Sequence, residues 1–267
     1  MLFDTHAHLD FPDFSDAVAG VLERAKAAGV ARIVNIGTSL ESSLRSIALA
    51  EAHPEIFAAV GVHPCYVEEE TDDFRLPLSR LLEHPKVVAI GETGLDYHRF
   101  PEPPSESGAR ADWEANRARQ TAFFRTQLEL AEAYGISVVI HQRDSWVDTL
   151  SLLRPFSGRI KAVFHCFGGT LEQAEELLAL GFFVSFTGIV TFKNATAVHE
   201  VAARLPAGRF FLETDCPFLA PVPHRGKRSE PAHTLLIAER IAQLRNESLA
   251  SLAAHTTEAA MAFFRKR

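Results

Sequence analysis

The segment Leu2-Phe3-Asp4-Thr5-His6-Ala7-His8-Leu9-Asp10 decides how the chain is read. It has the pattern of a strand and ends on two histidines two positions apart. Residues two apart on a strand point to the same side, so His6 and His8 aim two imidazoles into one space. A doubly wound open sheet usually carries a glycine-rich phosphate loop after its first strand, and this segment is nothing of the kind. Further short apolar runs occupy residues 31–37, 56–63, 87–94, 137–143, 161–167, 182–187 and 209–215, and with 2–8 they make eight candidate strands. Amphipathic stretches at 16–28, 40–52, 76–82, 118–134, 145–153 and 171–180 lie between most of them, and Gly29, Pro54, Pro85, Gly135 and Gly181 punctuate their ends. Alternation of strand and helix implies parallel strands. The expected fold is α/β, a (β/α)8 TIM barrel forming a single domain over residues 1–267, since about 250 residues suffice for one barrel.

Most strand starts are about 30 residues apart, one βα unit, but the fourth and fifth are farther apart. The excess falls in residues 100–112, whose prolines, serines and glycine predict an exposed inserted loop. Hydrophobic residues at 47% and charged residues at 23% fit an ordinary globular protein and exclude disordered and fibrous classes. A net charge of −7 provides no basic footprint, so any contact with nucleic acid must come from a local site. No apolar run reaches the roughly 18 residues of a spanning helix, and the first residues lack the pattern of a secretory signal. Three cysteines without a CxxC pair suit a reducing compartment. A cytoplasmic protein is expected, with no membrane association and no obligate protein partner.

His6 and His8 end the first expected strand, Glu92 the fourth, His141 the fifth, His165 the sixth and Asp215 the eighth. Any one of these histidines reads as a satisfied polar residue. Together they converge on the carboxyl rim, where (β/α)8 enzymes collect catalytic groups from several strands. Four imidazoles and two carboxylates suit two divalent cations, about 3.5–4 Å apart in two-metal hydrolases. Imidazoles favour zinc, manganese or cobalt, while carboxylates also accept magnesium.

Asp4-Thr5-His6-Ala7-His8-Leu9, Gly61-Val62-His63-Pro64, Gly91-Glu92-Thr93-Gly94-Leu95-Asp96-Tyr97, His165-Cys166-Phe167, Glu213-Thr214-Asp215-Cys216-Pro217 and Ala220-Pro221-Val222-Pro223-His224-Arg225-Gly226-Lys227 resemble the TatD family of metal-dependent deoxyribonucleases from the first strand to the last helix. The resemblance implies that His6, His8, Glu92, His141, His165 and Asp215 are metal ligands. It further implies that Glu92 bridges and that Asp215 also orients or activates the attacking water, making these two the catalytic carboxylates. The implied activity is phosphodiester hydrolysis of DNA or a nucleotide substrate, exonuclease-like in the 3'-5' direction on single strands. The implied cofactor is two divalent ions, Mg²⁺ in function with Zn²⁺ or Mn²⁺ as substitutes. Two other readings keep the same residues: an ester or amide hydrolase such as a D-aminoacyl-tRNA deacylase, and a non-catalytic metal-binding barrel. Two departures from the family pattern, the 100–112 insertion and Ser229 where asparagine is common, bear on substrate choice.

Around these residues, Glu213 stands two positions before Asp215, where it could fix the tautomer of a ligating imidazole or fill the barrel. Asp4 stands in the same relation to His6 but could simply bond to backbone. His63 could meet a substrate phosphate or stabilise its own loop. Arg143, on the face of His141, could grip a phosphate or form a surface ion pair. Arg225 belongs to a basic cluster with Lys227 and Arg228 that could bind phosphate at the barrel mouth. Tyr97 and Trp113 flank the insertion and are candidates for stacking on a base. Cys166 and Cys216 neighbour ligands and are expected to turn away from them by strand alternation.

Overall fold

The computed structural model describes residues 1–98 and 107–265. Eight parallel strands, β1 Leu2–Ala7, β2 Val30–Ile36, β3 Ile56–Val60, β4 Val87–Asp96, β5 Ser137–Arg143, β6 Ala162–Phe164, β7 Phe183–Phe186 and β8 Phe210–Leu212, follow one another in a single sheet in chain order. Eight helices alternate with or follow them: α1 Val18–Ala27, α2 Leu40–Ala52, α3 Arg75–Leu82, α4 Ser107–Tyr134, α5 Trp146–Leu153, α6 Leu171–Ala179, α7 Thr196–Arg204 and α8 Thr234–Arg245. A further helix, α9 Leu249–Phe263, ends the described chain. This is the expected (β/α)8 barrel. No helix among the described residues is long and apolar enough to cross a membrane.

Two apolar layers hold it. One lies between strands and helices and includes Leu2, Ile33, Ile90, Val138 and Phe210. The other fills the barrel with small or branched side chains, Val34, Ala59, Ala89, Val139 and Val163, and ends at Phe211. Phe263 and Phe264 close that interior at the amino end of the strands, the Phe263 ring 5.0 Å from Phe211 and the Phe264 ring 5.9 Å from Phe3. The opposite end is left for polar side chains.

Closure between β8 and β1 is thin. It consists of the bridge between Ala7 and Cys216, with His8 N–H donating to Cys216 O at 2.8 Å and Asp215 N–H to His6 O at 2.9 Å. Below it Asp4, fully buried, accepts from Thr214 N (2.9 Å) and Thr214 Oγ1 (2.7 Å). The carboxylate thereby does what ladder hydrogen bonds do elsewhere, tying the strand of His6 to the segment of Asp215.

The structure differs from the expected elements in two respects. The part of the expected loop at 100–106 lies outside the described residues. Residues 107–112 are already the first turns of α4, which starts at Ser107 and not at 118. Ala109, Ala111 and Ala115 are strong helix formers, and Arg110 pairs with Glu114 one turn on at 3.1 Å. Ser107 and Gly108 made the stretch read as loop. Three strands also end at least three residues earlier than expected: β3 at Val60, β6 at Phe164 and β8 at Leu212, so His63, His165, Glu213 and Asp215 stand beyond the ladder.

Candidate metal centre

Strict alternation along β1 from Phe3, which faces the barrel interior, would turn His6 outward. The β1–β2 register slips between Asp4 and Ala7, and Ala7 packs on the helix side. His6 falls in that slip and is re-aimed inward. Glu92 arrives the same way, in a slip of the β4–β5 register between Ile90 and Thr93. Two residues on, β4 passes so close to β5 that a Cβ at Gly94 would lie 1.9 Å from His141 O, at a φ of +144° that side chains avoid. Asp215 adopts a left-handed backbone, φ +55°, which turns its carboxylate back over β1.

These six side chains meet. His6 Nε2 and His8 Nε2 are 3.1 Å apart, and each is 3.5 Å from Asp215 Oδ1. Glu92 lies between two groups of imidazoles: Oε2 is 3.5 Å from His6 and 3.8 Å from His8, while Oε1 is 2.8 Å from His141 and 2.7 Å from His165. His63 Nε2 reaches Glu92 Oε1 at 3.5 Å.

For the neutral rings of His8, His141 and His63, hydrogen bonds on the far nitrogens assign the tautomers. His8 Nδ1 donates to Ile36 O at 3.0 Å, leaving Nε2 as a lone pair toward His6 and Asp215. His141 Nε2 donates to Asp96 Oδ2 at 2.9 Å, leaving Nδ1 toward Glu92. His165 turns Nε2 to the centre, 2.7 Å from Glu92 Oε1, while its Nδ1, 3.6 Å from Glu213 Oε1, makes no hydrogen bond. His63 is reversed. Its Nδ1 accepts from Cys65 N–H at 3.0 Å, so the proton of the neutral ring sits on Nε2 and points at the centre. His63 offers a donor there, not a ligand lone pair.

Charge follows the same geometry. Burial alone would raise Glu92, but the neighbouring imidazoles, His165 foremost, hold it well below the usual carboxylate range. Burial lowers an imidazole, yet the carboxylates overcome it at His8 and His141, which are raised, and at His165, raised well above the ordinary value. At His63 burial wins, with His141 and His165 adding repulsion, and its pKa falls to about 3. His63 is therefore neutral across the physiological range.

The donor set fits divalent cations. The Nε2 atoms of His6 and His8 and Oδ1 of Asp215 converge at 3.1–3.5 Å. Donor atoms sharing one first-row ion, each about 2.0–2.2 Å from it, stand about 3–3.5 Å apart. The atoms of His6, Glu92 and His165, and those of His6, His8 and Asp215, lie within 4.8 Å of one another.

The other expected residues fall into two groups. His63 and Arg143 line the same cavity as Glu92 and Asp215. Glu213, buried beneath it, accepts from Cys166 N at 2.6 Å and faces His165. Arg225 lies elsewhere, its guanidinium 4.1 Å over the Phe192 ring, and it does not line that cavity. Arg228 packs over Phe14, and Ser229 is buried with Oγ 3.2 Å from His233 Nδ1. The Arg117 guanidinium lies over the rings of Tyr97 and Trp113, at 3.5 and 4.1 Å. Cys166 turns away because its backbone is left-handed, φ +48°, and not through strand alternation; burial pushes its thiol up to about 12.

Asp96 is the residue that sequence reasoning missed. It holds the outer nitrogen of His141 and also receives His98 N–H at 2.9 Å. A signal existed, since Asp96 lies four residues beyond Glu92 and so on the same face of a strand. The expected strand stopped at 94, two residues short.

The sequence model described as TatD related DNase matches residues 3–265. An uncharacterised metal-dependent hydrolase of Bacillus subtilis is 39% identical, with 99% of each chain covered. A protein named 3'-5' ssDNA/RNA exonuclease TatD, from Erwinia tasmaniensis, is 34% identical over 96% of both chains. The crystal structure of the TatD homologue YJJV from Escherichia coli superposes with a TM-score of 0.88 at 31% identity, covering 98% of this chain and 97% of that one.

Proposed function

Because the chain belongs to the TatD-related family and is a metal-dependent hydrolase, we propose that it cleaves phosphodiester bonds of DNA, shortening single strands from the 3' end. The observation that carries this reading is Glu92, whose two oxygens face two separate groups of imidazoles. A carboxylate so placed suits a pair of cations and so an in-line displacement at phosphorus. His6, His8 and Asp215 would hold one ion, His141 and His165 the other, and Glu92 would bridge. When bound, such ions supply Lewis acidity and a nucleophile available at neutral pH, with magnesium, manganese and zinc all compatible with these donors.

The protein's own groups account for the rest. Asp215, kept ionised by His8 against the effect of burial, has an oxygen to accept a proton from the attacking water. His63, neutral and with N–H inward, donates to a phosphoryl oxygen where negative charge builds up. Arg143, exposed on the cavity wall, pairs with the phosphate by charge. The relative named as an exonuclease supports this choice of bond.

The test uses metal-stripped protein and end-labelled single-stranded DNA with Mg²⁺, Mn²⁺ or Zn²⁺ added separately, alongside a chelator control and Asp215→Asn. Stepwise shortening that requires both metal and Asp215 is expected. No cleavage with any metal would overturn DNA as the substrate and direct the search to charged tRNA.

A further inference from the structure

A second cavity of about 630 Å³ adjoins the metal centre on the carboxyl face of the barrel, between the segments that follow β4, β5 and β6. Its volume is within the ~300–1,000 Å³ of small-molecule sites. Arg143 lines both this cavity and the one containing Glu92 and Asp215, so its guanidinium stands on the boundary between them. We infer that this cavity is a nucleoside subsite: it receives the sugar and base next to the phosphate held at the metal centre, with Arg143 gripping the phosphate between the two. This rests on the phosphodiester reading given above.

The character of the walls supports a nucleoside and indicates how it is held. Several of the polar side chains around the cavity have a partner within the fold. Tyr97 OH donates to Asp148 at 2.9 Å, Ser145 Oγ to Leu95 O at 2.9 Å, and Asp144 pairs with His98 at 2.9 Å. Gln173 Oε1 accepts from Thr170 N at 2.9 Å. These contacts hold the walls of the cavity in place. Beside them the half-buried Trp146 and the exposed Val147 offer an aromatic and an apolar surface to any base, next to the Arg143 cation. Recognition by stacking and phosphate charge, without edge readout, is sequence-tolerant. It suits an enzyme that removes nucleotides one after another whatever their base.

Gly168 gives a direct test, because a Cβ built there meets nothing within 4 Å, so a large side chain enters the cavity without displacing backbone. The dissociation constants of inorganic phosphate and of thymidine 5'-monophosphate are measured by titration calorimetry on Mn²⁺-loaded protein, unmodified and as Gly168→Phe and Val147→Trp. These two variants narrow the space from different loops. Thymidine monophosphate is expected to bind at least tenfold more tightly than phosphate. Both variants should erase that advantage while leaving the phosphate constant within twofold, and the four deoxynucleoside monophosphates should agree within about fivefold in unmodified protein. An advantage below threefold in unmodified protein, an advantage that survives both variants, or no measurable binding of the nucleotide overturns the subsite. The binding readout separates this from the proposed activity: nucleotide preference without DNA cleavage leaves the subsite standing and removes the nuclease reading, and cleavage without preference does the reverse.

Discussion

Replacing Asp96 by asparagine probes whether the carboxylate beyond His141 is part of the metal centre. The His141 Nε2 to Asp96 Oδ2 contact is 2.9 Å between side chains that are 17% and 6% exposed. Burial would raise the Asp96 carboxyl, but the His141 hydrogen bond and charge, aided by His98 N–H, bring its pKa from 3.8 to about 2. At about 1.36 kcal/mol per pKa unit that is roughly 2 kcal/mol of preference for the ionised form. Solvent screening and the share due to His98 leave about 1–2 kcal/mol for the link to His141. A carboxylate behind a ligating imidazole typically contributes 10–100-fold in metal affinity, about 1.4–2.7 kcal/mol, which agrees. Asp96→Asn keeps the size but not the charge, so its weaker metal equivalent should bind about 10–30-fold less tightly. The assay is competition with a chromophoric chelator at pH 7.5, with thermal melting to confirm the fold. A depressed carboxyl contributes stability above its ordinary pKa and loses it as pH falls from about 4 toward 2, so Asp96 stays ionised at the pH of the assay. If Asp96→Asn retains every metal equivalent within twofold, the charge of Asp96 has no part in holding the metal.

Three other outcomes follow from the same geometry. His63→Ala should lower kcat about 10²-fold, the scale of a lost oxyanion donor, while changing metal affinity less than threefold. A large loss of metal would make His63 a ligand and refute its inward N–H. Metal binding should release protons, because His165, His8 and His141 hold theirs above the ordinary imidazole pKa and must give them up to ligate. Affinity should therefore rise with pH through that raised range, and the stability that protonation lends the metal-free fold, present below about pH 6.5, should fall over it. Calorimetry in two buffers of different ionisation enthalpy that finds no proton release would contradict this. Phe211→Ala, at a fully buried ring between Phe183 and Phe263, should cost about 3–5 kcal/mol of unfolding free energy in denaturant titration. A loss below 1 kcal/mol would mean that the interior plug does not bear on stability.

The alternation of apolar runs with amphipathic stretches, and the punctuation by Gly29, Pro54, Gly135 and Gly181, determined the barrel from the sequence alone. These signals are local and repeat with the period of the element that contains them. The types of side chain at the strand ends, four histidines and two carboxylates, were legible for the same reason. How they aim was not. His6 and Glu92 reach the centre through register slips against β2 and β5, and a one-residue slip reverses the face of every side chain beyond it, a matter that only the neighbouring strand decides. Which nitrogen of each imidazole faces inward depends on partners distant in sequence, Ile36 O for His8 and Asp96 for His141, so the distinction between ligand and donor at His63 appears only in the folded chain. The cavity behind Arg143 exists because three loops meet at one rim, and no spacing of residues along the chain encodes that meeting.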